Sequence, residues 1–265
     1  MNDPRNPYAP PVSQVADPED APSPDTGRFI PYGRSLPAGR GAAWIGDAWR
    51  LLKGQAGMWA AALVLLFVAW IVLSIIPVVK HVLQLATPFI YAGVATAANE
   101  QRRNGSFELT ALLAGFNKRP LSLLGVSLAL VVAGMLFLAV LAISVGASVF
   151  GAMLRGAQAD PSVFLTAKFG WAFLVGIVVM LPISFATYLA PQLIILHDQP
   201  TWTALKMSLV GCAKNILPGI VFSICAALLV LVSIIPLFLG LLVSIPVLFL
   251  TNYTVYRDIF VEENP

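Results

Sequence analysis

Residues 190–217, APQLIILHDQPTWTALKMSLVGCAKNIL, decide how the rest of the chain is read. The stretch opens on apolar residues that continue a longer apolar block. His197-Asp198-Gln199-Pro200 interrupts the run, because proline removes a backbone donor and disfavours helix in the residue before it. Asp198, Pro200 and Thr201 are residue types that favour a new helix start. Beyond them Trp202, Leu205, Leu209, Cys212 and Ile216 recur at three- and four-residue spacings, with Lys206 and Lys214 outside that stripe. Pro218-Gly219 then separates the amphipathic segment from another apolar block. The spacing predicts the end of one membrane span, a turn, a helix lying in the interface, and the start of the next span.

Composition sets the class. The chain is 58% hydrophobic and 11% charged, where an ordinary soluble domain is about 25% charged. Apolar runs long enough to cross a bilayer recur. They predict six spans, at about 57–79, 81–99, 121–150, 169–196, 219–236 and 238–256. The expected fold class is an all-α membrane protein. A net charge of +3 implies no nucleic-acid partner. Cys212 and Cys225 stand apart, with no CxxC, and read as small buried hydrophobes.

Working outward, the pattern around residues 190–217 recurs. Residues 42–54 form an amphipathic helix, with Trp44, Ile45, Ala48, Trp49 and Leu52 on one side and Asp47, Arg50 and Lys53 on the other. Tryptophan beside basic residues suits the headgroup zone. A short helix is expected over 107–117. SIIP occurs at 74–77 and again at 233–236, each time closing the first span of a pair. The expected architecture is three repeated units, each an interfacial helix plus a transmembrane hairpin, filling 41–260. Residues 1–40 carry nine prolines without apolar periodicity and read as a disordered cytoplasmic tail. Residues 261–265 read as a C-terminal tail. The first 40 residues contain no apolar signal region, so the first span is expected to direct insertion.

Lysine and arginine sort strongly across six spans. Thirteen fall on the side of the termini and three, Lys80, Arg155 and Lys168, on the other. The positive-inside rule then places both termini and all three interfacial helices on the cytoplasmic side of the membrane.

Few groups could carry chemistry. The predicted spans hold hardly any ionisable side chain, which weighs against proton pumping or ion conduction. His197-Asp198 lacks the further ligands a metal needs and the nucleophile a triad needs. No cofactor is expected. Tyr256-Arg257-Asp258 ends the last span as an interfacial anchor, and Arg257 is a candidate partner for Asp198. Pro88, Pro182, Pro191 and Pro246 break or bend spans 2, 4 and 6, where broken helices could frame a midplane binding site.

GRGAAWIGDAWRLLK at 39–53, PFIYAGVATAANEQRRNGSFELTALLAGF at 88–116, LAPQLIILHDQPTWTALKMSLVGCAKN at 189–215 and YTVYRDIF at 253–260 together resemble a proteobacterial family of six-span inner-membrane proteins of unknown function. The third segment is distantly similar to the membrane domain fused to some glycerophosphodiester phosphodiesterases. Lys214-Asn215 stands where Arg-Asn is the more familiar pair. The phosphodiesterase catalytic domain is absent from the sequence, so its activity does not carry over. The expectation is a non-enzymatic inner-membrane protein that organises anionic lipid or another membrane protein at the cytoplasmic leaflet. A transporter or lipid translocase is the alternative.

Overall fold

The computed structural model describes residues 27–76, 83–156 and 167–263. Apart from one pair of short strands, its regular structure is helical. Strand β1 (Gly27–Phe29) leads into helices α1 (Arg40–Gly54) and α2 (Ala56–Ser74). Next come α3 (Thr87–Asn104), a 3-10 turn (Leu109–Leu113) and α4 (Ala114–Asn117). They are followed by α5 (Pro120–Val145), α6 (Ala147–Leu154), α7 (Ala167–Tyr188) and α8 (Ala190–His197). Helices α9 (Thr201–Lys214), α10 (Ile216–Ile234) and α11 (Leu241–Phe260) lead to strand β2 (Val261–Glu263).

Four helical stretches are long and apolar enough to cross a membrane: Ala56–Ser74, Pro120–Ile143, Phe173–His197 and Ile216–Ile234. At ~1.5 Å per residue, even the 19-residue ones approach the ~30 Å hydrocarbon thickness. They turn large apolar side chains outward, among them Val64, Phe67, Val178 and Leu231. In water that face would be untenable; in lipid it costs nothing. The segments expected as spans 2 and 6 differ in kind. Helix α3 buries the small residues Ala92, Gly93, Ala95, Ala97 and Ala98 and ends on the polar run Asn99–Asn104. Helix α11 buries Thr251, Asn252, Thr254 and Arg257. Both sit inside the bundle, so protein rather than lipid solvates much of their surface.

Close approach explains the glycines at the core. A Cβ on Gly93 would lie 2.0 Å from the carbonyl oxygen of Leu112, and one on Gly115 would lie 2.4 Å from that of Phe89. The 3-10 turn and α4 therefore lie directly against α3. The expected span at 121–150 is not continuous, because Gly146 takes φ +86° between α5 and α6 and breaks the helix there. The expected turn at Lys80 and His81 and most of the expected loop 155–168 lie outside the described residues.

The N-terminal reading needs correction. Residues 1–26 of the expected tail lie outside the described residues, but 27–39 form a docked strap. Strand β1 pairs antiparallel with β2, Gly27 opposite Glu263 and Phe29 opposite Val261, so the expected C-terminal tail is also partly structured. Ile30 N–H donates to Phe260 O at 2.8 Å and Arg34 N–H to Ile259 O at 2.9 Å. Asn215 accepts from Leu36 N–H at 2.9 Å and donates to Arg34 O at 2.8 Å. Lys214 Nζ donates to Gly33 O at 2.9 Å. Composition pointed to disorder because the strap buries little of its own; its backbone hydrogen bonds are supplied by α9, α11 and β2. The strand pair also brings residues 27 and 263 to the same end of the bundle.

Candidate functional site

The polar groups collect at that end. Tyr256-Arg257-Asp258 caps α11, and Asp258 is its hub. Arg40 Nε and Trp44 Nε1 each donate to Asp258 Oδ2 at 2.7 Å, and Arg34 Nη2 donates to Oδ1 at 3.2 Å. Arg34 Nε also donates to the Asp258 carbonyl oxygen at 2.8 Å. The carboxylate thus ties the strap, the start of α1 and the end of α11. Asp47, two turns further along α1, pairs with Arg50 and, at 3.4 Å, with Arg40.

Beside this hub opens a cleft of about 890 Å³. Its lining includes Arg34, Arg40, Arg50, Arg102 and Arg257 against Asp47 and Asp258, with Leu36, Leu51 and Val261 as its apolar part. The described lining residues therefore carry five guanidiniums and two carboxylates, an excess of three positive charges. Arg257 is itself buried, at 6% exposure.

A neutral hydrogen-bond frame holds the wall. Thr254 Oγ1 donates to Trp44 O at 3.0 Å, and Tyr253 Oη donates to Asn99 Oδ1 at 3.0 Å. Trp59 Nε1 donates to Gln101 Oε1 at 2.6 Å, while Gln101 Nε2 donates to Leu51 O at 2.7 Å. Buried amides and hydroxyls paired in this way hold one relative placement of α1, α3 and α11.

The singled-out residues separate into three groups. His197 and Tyr256 hydrogen-bond to each other, and Phe29 of the strap stacks on His197 with centroids 3.9 Å apart. Asp198 takes a left-handed backbone (φ +54°) as the residue ending α8. Its carboxylate pairs with Arg119, at 2.8 Å, in place of the expected Arg257. Nor does that carboxylate cap the next helix, which Pro200 opens without a side-chain cap. The prolines are spread over four helices. Pro88 and Pro191 begin α3 and α8, where missing N–H groups are tolerated. Pro182 lies exposed within α7. Pro246 borders an apolar crevice of only about 10 Å³, with Trp59, Leu66 and Phe249. No lining residue of the large cleft is one of these four prolines.

The helices expected at the interface also differ from their expected faces. In α9 the face turned into the bundle is Ala204, Met207, Ser208 and Gly211, while Trp202 and Ile216 of the predicted stripe are 68% and 48% exposed. In α1, Trp44, Ala48 and Leu52 are buried and Trp49 faces out. Lys53 Nζ sits 5.6 Å over the Trp49 ring, and Lys206 Nζ 5.1 Å over that of Trp202. Sequence reasoning missed Arg34, Arg40, Asp47, Arg50, Arg102 and Asn215 as site residues. The sequence did mark Asp47 and Arg50, on the polar face of residues 42–54, but not as members of a cleft. Among the described residues no group of three or more His, Cys, Asp or Glu side chains could hold a metal.

Fold and cleft together define a class: an all-α protein with four membrane-compatible helices and an arginine-rich cleft at the end where its described termini meet. Compared with known proteins, the chain matches no family model, no curated protein and no solved structure.

Proposed function

We propose that this is a non-enzymatic integral protein of the bacterial inner membrane that organises anionic lipid, or a partner membrane protein, at the cytoplasmic leaflet. It crosses six times as three units, with α3 and α11 as the inner return helices, and both termini face the cytoplasm. One observation carries the reading: the arginine cleft, the strand pair of the termini and the Trp–Lys helix α1 share one end of a bundle whose other exposed helices are apolar. Paired ends mean an even number of crossings between them, a condition that six meets as four would.

Two further observations support it. The Trp–Lys pairs at 49/53 near the end of α1 and 202/206 near the start of α9 share a four-residue spacing. Tryptophan with a nearby lysine anchors a helix at the headgroups. The basic residues near the strand pair are those the positive-inside count assigns to the cytoplasm.

Reporter fusions test the topology. A C-terminal fluorescent protein should be bright, and alkaline phosphatase should be active when inserted at 157–166 and inactive at the C-terminus. Phosphatase activity at the C-terminus would refute the orientation.

A transport reading has one observation in its favour. Gln192 Oε1, Asn252 Oδ1 and Ser244 Oγ are buried without a hydrogen-bond partner, and such atoms call for an occupant or a second conformation. The crevice at Pro246 is apolar and about 10 Å³, so the organising reading is preferred.

A further inference from the structure

We infer that the outward face of α9 binds the phosphate of anionic glycerophospholipids, with Lys206 and the Trp202 indole as its donors. The inference rests on the membrane reading above, commits it to lipid rather than a protein partner, and names the residues.

An ion pair marks where the bundle leaves the hydrocarbon. Arg119 directly precedes the apolar stretch Pro120–Ile143, and Asp198 directly follows Phe173–His197. Their side chains pair at 2.8 Å, so one stretch begins and the other ends at the same level. Thr201 Oγ1 donates to Ser122 O at 2.9 Å and fixes the start of α9 there. At its far end α9 stops at Lys214, just ahead of the apolar stretch Ile216–Ile234. At ~1.5 Å per residue the helix spans about 21 Å, too short for the ~30 Å core. Helix α9 therefore runs along the boundary from one crossing to the next.

Packing sets which residues it turns outward. Ala204, Met207, Ser208 and Gly211 are buried against the bundle. Trp202, Lys206, Leu209 and Ala213, at i, i+4, i+7 and i+11, line the opposite side. All of them are exposed except Leu209, which is half-buried. One cation among three apolar groups suits neither water nor hydrocarbon. It suits the headgroup boundary, where a lysine stem lies along the acyl chains and its ammonium reaches the phosphates.

Both polar groups on this face are donors. Trp44 and Trp59 give their indole N–H groups to Asp258 and Gln101. Trp202 is 68% exposed, and no described residue accepts from its indole. Lys206 Nζ sits 5.1 Å from the centre of that ring and pairs with no described carboxylate. Asp198, just ahead of the helix, is already engaged by Arg119. An ammonium and an indole N–H one turn apart complement the oxygens of a phosphodiester. A zwitterionic headgroup brings its own cation to that phosphate, so the lysine gains more from an anionic lipid.

The test reconstitutes the full-length protein in phosphatidylcholine vesicles. Increasing fractions of the lipid are replaced by phosphatidylglycerol or phosphatidylcholine whose acyl chains are brominated near the headgroup, so that a lipid in contact quenches tryptophan. The Trp202 signal is the difference between each protein and the same protein carrying Trp202→Phe. Phosphatidylglycerol should occupy the site beside Trp202 with about fivefold preference, the contribution of one lysine at an anionic surface. Lys206→Gln should bring that preference close to one while brominated phosphatidylcholine still quenches, and Lys53→Gln should leave it unchanged. Trp202 and Lys206 are exposed, so neither substitution disturbs packing. Equal quenching by the two lipids in the wild type, or a preference that survives Lys206→Gln, overturns the inference. Quenching of the exposed Trp70 and Trp171 without quenching of Trp202 also overturns it and leaves the membrane reading standing. If no tryptophan is quenched by either lipid, the membrane reading falls as well.

Discussion

Replacing Asn215 with alanine should release the N-terminal strap. Asn215 is 3% exposed, so its hydrogen bonds are shielded from water. Two of them hold the strap: its Oδ1 accepts from Leu36 N–H at 2.9 Å, and its Nδ2 donates to Arg34 O at 2.8 Å. Each is a neutral bond of ordinary geometry, so losing both costs the docked state about 2 kcal/mol. The open state is then populated about 30-fold more. Trypsin reads this directly, because cleavage after Arg34 requires the strap to leave its groove. Where opening is fast relative to cleavage, the proteolytic rate follows the open population. The assay is the initial rate of cutting at Arg34–Ser35 in the detergent-purified protein, scaled to cutting after the exposed Lys118. A rate within threefold of wild type would refute the reasoning. It would mean that strand pairing, the Arg34–Asp258 bonds and the Lys214 contacts hold the strap without Asn215.

Gly93→Ala should destabilise the fold severely and depress the thermal midpoint, because its Cβ would lie 2.0 Å from a backbone oxygen that belongs to a packed turn. Gly46→Ala, with nothing within 4 Å of its Cβ, should instead stabilise α1 by roughly 0.5–1 kcal/mol; equal midpoints for the two variants would contradict the packing of α3 on the 3-10 turn. Burial pushes the Cys212 thiol up to about 12, so in a Cys225→Ser background a water-soluble maleimide at pH 8 should label the native protein at least about a hundredfold more slowly than the unfolded chain. Because the folded value is raised, the associated stability is complete below the ordinary thiol range and is lost as pH climbs from about 9 toward 12; alkylation at the unfolded rate would contradict that burial.

Part of this architecture is readable from local pattern. The four membrane-compatible helices overlap segments that apolar run length assigns to the bilayer, and α1 and α9 begin and end close to where their periodicity and breakers put them. These signals are local, since whether twenty successive residues tolerate hydrocarbon depends on those residues alone. Tyr256-Arg257-Asp258 stands out for a similar reason, as a charged end to an apolar run. The face each helix turns inward is less legible. Trp202 belongs to the apolar stripe of α9 yet faces outward, while Ala204, Ser208 and Gly211 face in. Lipid and protein interior are both apolar, so hydrophobicity cannot tell them apart; small residues that permit close contact decide the inner face.

By itself, then, the sequence determined the kind of solvent this chain is built for, the breaks between its apolar runs and the charged end of its last helix. Only the tertiary structure decided that residues 27–39 are a docked strap and that Asp258 gathers Arg34, Arg40 and Trp44 from 224, 218 and 214 residues away. It also decided that Asp198 answers to Arg119 and that the four prolines lie outside the arginine cleft. The reason is physical. Crossing a bilayer is a property summed over neighbouring residues, whereas a charge pair or a cleft needs distant backbone brought within a few ångströms, and nothing in the spacing of residues along the chain records that approach.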